Sequence, residues 1–136
     1  MKSAGSMEDR VLIRELYGQY ASGGSLGDAE AWLRCWDEEC HWITTHFERH
    51  GKAELREQWG QLWENFTSAV VLNEVGPIEV QGDTATATCG VLEIIALSGG
   101  GTLKIAGNYR DEFVRTGGQW LFRSRNYSLV HEETSK

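Results

Sequence analysis

No stretch of the sequence approaches the 18 or more apolar residues of a membrane-spanning helix; the longest candidate, Val91 to Leu97, is interrupted by Glu93. No positively charged stretch followed by an apolar one opens the chain, so a cytoplasmic protein is expected. Residues 1–6 read as a cloning remnant or a disordered extension ahead of a natural start at Met7. Positive charge is in deficit: 13 Lys and Arg face 20 Asp and Glu, for a formal net charge of −7 and a sequence pI near 5.1. That balance argues against nucleic-acid and anionic-membrane partners. Cysteine occurs three times, an odd number that reads as reduced thiols. Cys35, Cys40 and His41 lie close together, but the spacing matches no common zinc knuckle and no CxxC is present, so no metal is expected.

Proline occurs once, against 16 glycines, six Trp, four Tyr and four Phe. That pairing implies tight turns around an aromatic-rich interior. At 136 residues, 40% apolar and 24% charged, the chain fits a single folded domain, expected over 7–132 with a short tail at 133–136. No internal repeat, linker or low-complexity segment is evident.

Between Glu8 and Ala21, Leu12, Leu16 and Tyr20, with Ile13 and Tyr17 beside them, form the stripe of an amphipathic helix, which Ser22-Gly23-Gly24-Ser25 is expected to end. Asp28 is a candidate N-cap for a second, shorter helix with Trp32, Leu33 and Trp36 on its inner face. The acidic run Asp37-Glu38-Glu39 then precedes a β-like stretch from Cys40 to Phe47. A third helix is predicted over Lys52 to Phe66, where Leu55, Trp59, Leu62, Trp63 and Phe66 keep helical spacing. Beyond it, glycine turns cut β-branched runs into strands near Ala69–Val80, Thr84–Leu97, Thr102–Arg115 and Gln119–His131. Their short connections require antiparallel neighbours, and Gly76-Pro77 implies a bulge or bend in the first. The expected fold class is α+β, in the order α-α-β-α-β-β-β-β. A curved, mostly antiparallel sheet would wrap three helices as a cone with an internal pocket.

Several strings resemble the SnoaL-like branch of the nuclear transport factor 2-like superfamily over nearly the whole chain from Glu8. They are Ile13-Arg14-Glu15-Leu16-Tyr17, Gly27-Asp28, Trp36-Asp37-Glu38-Glu39 leading to Trp42, and Asn73 before Val80-Gln81-Gly82-Asp83-Thr84-Ala85. Tyr109-Arg110-Asp111-Glu112-Phe113 and Gly118-Gln119-Trp120-Leu121-Phe122 complete the set. Relatives of this fold include polyketide cyclases, scytalone dehydratase, ketosteroid isomerase, a dehydrochlorinase and oxygenase small subunits, so the fold alone leaves function open. In the dehydratase and dehydrochlorinase branch an Asp after the first helix and a His early in the first long strand form a base dyad. The resemblance puts Ser25 and Ala69 at those positions, and neither is an unassisted base near neutral pH.

Other residues must therefore carry any proton transfer. By resemblance Val91 and Glu93 face the cone; there a carboxyl between Leu92 and Ile94-Ile95 has its pKa raised by desolvation, unless it points to water or pairs with an arginine. Arg125, sharing a strand face with Tyr127, either binds a substrate carboxylate or enolate, holds Glu93 ionised, or is a solvated strand arginine alternating with Arg123. Trp42, Thr44 and His46 share one parity and by resemblance face inward, which makes His46 the replacement base; His41, His50 and His131 are weaker candidates. Tyr17, Tyr20, Asn73 and Tyr109 offer polar tips that either bind a developing oxyanion or simply pack in the core. Trp59, Trp63 and Phe66 are core or cone wall, with Trp63 and Ile105 counted among the lining residues. Gly99-Gly100-Gly101 joins strands and is not a phosphate cradle.

The expected protein is a cofactor-independent acid–base enzyme, of cyclase, isomerase or dehydratase type, acting on a small, mostly apolar polyketide, terpenoid or aromatic substrate. Glu93 or His46 would move the proton. The rival expectation is a non-catalytic ligand-binding protein or accessory subunit, favoured by the loss of the dyad. The resemblance also implies a homodimer formed through the outer sheet face.

Overall fold

Ala85, Ala87, Cys89 and Val91 are buried while Thr86 and Leu92 between and beyond them are exposed, so this strand lays one face on a core. The computed structural model describes residues 2–136. In it three helices, α1 (Met7–Leu26), α2 (Ala29–Leu33) and α3 (Gly51–Trp63), pack on one six-stranded sheet. The strands are β1 (Trp36–Ile43), β2 (Glu48–His50), β3 (Phe66–Gln81), β4 (Thr84–Leu97), β5 (Thr102–Thr116) and β6 (Gln119–Ser135). They lie in the order β2-β1-β6-β5-β4-β3, antiparallel throughout except where β1 runs parallel to β6. This is the expected cone-shaped α+β fold, with the extra short strand β2 closing a hairpin on β1. Among the described residues no helix is long and apolar enough to cross a membrane.

The α1 N-terminus is satisfied by Ser6, whose Oγ accepts from the Asp9 N–H at 3.1 Å, with Glu8 and Asp9 complementing the helix dipole. Its buried face is Ile13, Leu16, Tyr17, Tyr20 and Gly23, so the stripe is rotated from the expected one and Leu12 is exposed. Ser22-Gly23-Gly24-Ser25 does not end the helix. A Cβ on Gly23 would stand 2.9 Å from the Trp32 backbone nitrogen, so the bare glycine face is where α2 crosses, and termination waits for Gly27 in the left-handed region.

Asp28 caps α2, its carboxylate accepting from the Ala31 N–H at 3.1 Å. The helix is shorter than expected: Trp36 opens β1, and Asp37-Glu38-Glu39 lies inside that strand because pairing with β6 begins at Trp36↔Phe122. Likewise α3 ends at Trp63 and Phe66 opens β3. Ahead of Met7, Ala4 bridges Glu79 in parallel, its N–H donating to the Ile78 carbonyl at 3.1 Å. At the other end β6 includes the expected tail as far as Ser135.

Among the register shifts in the sheet, two bear most on the site. In β3 the pairing jumps between Val75↔Cys89 and Ile78↔Ala87, the bulge implied by Gly76-Pro77. In β6 it passes from Phe113↔Phe122 to Glu112↔Ser124, leaving Arg123 as an extra residue. The inward face of β6 thereby switches from Trp120 and Phe122 to Arg125, Tyr127 and Leu129.

Candidate active site

The open end of the cone holds a cavity of about 170 Å³. Helix α1 contributes Tyr20, α2 Trp32, and α3 the half-buried Trp59 and Trp63; the β1–β2 turn contributes Thr44, His46 and Phe47 after Trp42. From the sheet come Ala69, Glu93, Ile105, Tyr109, Tyr127 and Leu129, with Glu132 at the rim. The sequence spacing of α3 that reads as a packing stripe is thus partly a wall left uncovered by other core residues. Of the residues singled out in the sequence, Glu93, His46, Tyr20, Trp42, Thr44, Trp63, Ile105, Tyr109 and Tyr127 share this cavity.

Glu93 sits on β4 between Val71 of β3 and Ile105 of β5, its backbone neighbours in the sheet. Burial among apolar walls raises its pKa above the ordinary carboxylate value, and the positive charge of Arg125 only partly opposes the rise. Among the described residues no cation forms a salt bridge with it. Arg125, whose charge acts on it, is paired with Asp111.

Arg125 does not line the cavity. It has no solvent exposure, and its Nε and Nη2 donate to Asp111 Oδ1 at 2.7 Å and Oδ2 at 3.0 Å. Asp111 Oδ2 also accepts from the Tyr17 hydroxyl. Aromatic rings close over the guanidinium: its carbon lies 3.7 Å from the Tyr109 ring centroid and 4.6 Å from that of Tyr20. Burial disfavours the charge, but Asp111 together with Tyr20 and Tyr109 outweighs it, and the guanidinium stays protonated. An arginine so enclosed cannot bind a substrate carboxylate directly, nor is it the solvated strand arginine. It props the phenol that forms the cavity floor. Asp111 was missed as a functional residue, although its parity with Tyr109 places both on the inner face of β5.

Tyr109 is oriented from the other side as well. Trp42 Nε1 donates to the Tyr109 oxygen at 3.0 Å, which leaves the phenolic proton free to donate into the cavity. The Tyr127 ring lies 4.8 Å from that of Tyr109, and burial, with Glu93 and Glu132 adding to it, pushes its pKa up to about 12. Burial likewise raises Tyr20 to about 12 against the pull of Arg125. All three phenols are donors at neutral pH.

His46 is at the mouth, largely exposed, with Nε2 3.5 Å from Glu132 Oε1. Three sequence candidates lie behind the wall. Tyr17 is buried and spent on Asp111, Val91 packs in the core, and Asn73 donates from Nδ2 to the Tyr17 carbonyl at 3.5 Å, its Oδ1 buried without a partner. Ala69 lines the cavity, whereas Ser25 accepts a hydrogen bond from the Val71 N–H at 2.9 Å and is occupied with holding α1 to β3. Cys35, Cys40 and Cys89 are buried, which raises each thiol to about 11, and His41 points to the opposite face of β1 from Cys40.

The family described as the SnoaL-like domain matches residues 5–126. The chain belongs to the SnoaL-like family. Among solved structures, this SnoaL-like protein is similar to a type 2 hexachlorocyclohexane dehydrochlorinase (LinA), with 20% identity, 96% of this chain and 90% of that chain covered, and a TM-score of 0.86. It is similar to a protein of Novosphingobium aromaticivorans provisionally assigned as a scytalone dehydratase, with 18% identity, coverage of 96% and 89%, and a TM-score of 0.88. A type 3 dehydrochlorinase from Novosphingobium barchaimii shares 19% identity over 95% and 91%, with a TM-score of 0.84. At these identities the likeness is one of fold. No curated protein matches the sequence.

Proposed function

We propose that this SnoaL-like protein is a cofactor-independent acid–base enzyme of the isomerase, lyase or cyclase type, acting on a small, mostly apolar carbonyl compound. One observation carries the reading: Glu93 is a carboxyl without an ion-pair partner inside an apolar cavity, its pKa raised by burial, beside phenols that keep their protons. Such a carboxylate removes a proton α to a carbonyl, and the developing enolate oxygen accepts from Tyr109 or Tyr127. The protonated Glu93 then returns the proton to another carbon, or the enolate expels a leaving group. The raised pKa suits both halves, since the same group must accept and then donate. His46 and Glu132 at the mouth serve proton exchange with water. Dehydrochlorinase and dehydratase chemistry in proteins of similar fold supports the reaction class.

Deuterium exchange at the α-carbon of small cyclic ketones in D2O, followed by NMR, tests this without knowledge of the natural substrate. The expected result is exchange catalysed by the intact protein and reduced about 10²–10⁴-fold in Glu93→Gln. Undiminished exchange in that variant would overturn the assignment. A non-catalytic ligand-binding role is favoured by Ser25 and Ala69, which leave the dyad positions without a base. Cavity binding of the ketones with no exchange above background would select it.

We also propose a homodimer. Val70 and Leu72 of β3 pair with Ile94 and Leu92 of β4, and all four are exposed on the outer sheet face as one apolar patch.

A further inference from the structure

We infer that His41, Glu48 and His50 form a surface site for one divalent transition-metal ion of the zinc, nickel or copper class. The site is distinct from the cavity and lies on the opposite face of the same hairpin. In the β1–β2 pairing His41 stands opposite His50 and Ile43 opposite Glu48, so alternation puts the two imidazoles and the carboxylate on one side, with Trp42 and Arg49 on the other.

The side chains converge rather than merely sharing a face. The two rings stack with centroids 3.9 Å apart, and Glu48 Oε1 lies 2.7 Å from His41 Nε2 and 3.6 Å from His50 Nε2. One donor atom from each residue falls within 4.8 Å of the others. Bond lengths near 2.0–2.2 Å with angles between octahedral and tetrahedral need donors about 2.8–3.6 Å apart. Because the stacked rings hold their in-plane nitrogen lone pairs nearly parallel, both imidazoles must unstack and tilt about χ1 and χ2 to aim at one ion, a rotation that their partly exposed positions permit without movement of the strands. Among the described residues Glu48 has no Lys or Arg within ion-pair distance to compete with a metal. The backbone is fixed as well, since the His50 N–H donates to Glu54 Oε1 at 2.9 Å where α3 begins.

Two imidazoles and one carboxylate on one side of an ion leave the remaining positions to water, a donor set that favours zinc, nickel and copper over magnesium or calcium. Thr44 to Phe47, which carry His46 and form the cavity rim, are the turn of this same hairpin. An ion bridging β1 and β2 would staple that rim.

The test uses the full chain stripped with EDTA and then titrated with zinc chloride, and separately with cobalt chloride. We expect one equivalent of zinc bound in the micromolar range and a rise in Tm of roughly 5–10 °C at saturating zinc. Affinity should fall about tenfold or more in His50→Ala and in Glu48→Gln, both at exposed positions, with unchanged circular dichroism, and remain intact in the surface control His131→Ala. Cobalt should give only the weak visible bands of nitrogen and oxygen ligands. Failure to saturate below millimolar zinc would overturn the proposal. So would undiminished binding in the His41→Ala/His50→Ala double variant, or an intense thiolate-to-cobalt band, which would put the ion on a cysteine.

Discussion

Asp111 on β5 and Arg125 on β6 stand directly opposite one another in the sheet and form a two-bond ion pair with no solvent exposure at either side chain. The pair exists because Arg123 is bulged out; without that extra residue Asp111 would face Ser124. Removing one partner leaves the other as an uncompensated buried charge. Asp111→Ala should therefore cost about 3–5 kcal/mol in urea unfolding, while replacing both, as Asp111→Leu/Arg125→Met, should recover part of the loss, the buried Tyr17 hydroxyl being left without its acceptor. A single variant as stable as the native protein would show that the pair is not closed to water.

Glu93 is expected to trade stability for reactivity. Its folded-state pKa is raised above its unfolded value by burial, so its favourable contribution is present below the unfolded pKa and is lost as pH rises through the raised folded value. Glu93→Gln should thus unfold at higher temperature than the native protein at neutral pH, and the difference should vanish near pH 4. Exchange activity in the native protein should rise with pH through that same raised pKa, because the base form is the ionised one. Calorimetry at several pH values and a pH–rate profile check the two halves independently.

Gly107 on β5 sits under the Tyr127 ring. A Cβ there would collide with the Tyr127 ring and hydroxyl and with the Ser128 carbonyl, and the backbone clash cannot be relieved by turning a side chain. Gly107→Ala should destabilise by about 1–3 kcal/mol and displace Tyr127 from the cavity. The measurements are thermal unfolding and the affinity of a cavity ligand, with Gly90→Ala as a comparison because its Cβ would meet only ordinary contacts.

If the outer face of β3 and β4 mediates dimerisation, a charge in the middle of the patch should separate the subunits. Leu72→Lys, at a position 54% exposed, is expected to leave the fold intact and shift the mass seen by light scattering from dimer to monomer. A native protein already monomeric at high micromolar concentration would remove this proposal.

Much of the site was legible before the structure because it depends on local periodicity. Strand alternation groups Trp42, Thr44 and His46 on one face, the family resemblance implies that this face and Glu93 turn inward, and all four line the cavity. Helical spacing located α3, and glycine pairs located the turns of the meander. Element ends were less legible. Gly23 looks like a stop until α2 is seen crossing it, and Trp36 looks helical until β6 offers it a backbone partner.

The sequence by itself determined the helices, the antiparallel meander and the residue types available to the cavity, since apolar period and turn chemistry act within a few residues along the chain. Only the tertiary structure decided how those residues are used. The bulge at Arg123 turns Arg125 inward and gives it to Asp111, which leaves Glu93 without an ion-pair partner in an apolar pocket. The pairing of β1 with β2 brings His41 to His50 and Glu48. Both outcomes hinge on register, which a single residue shifts and which is set by the summed packing of a whole sheet face rather than by any local string.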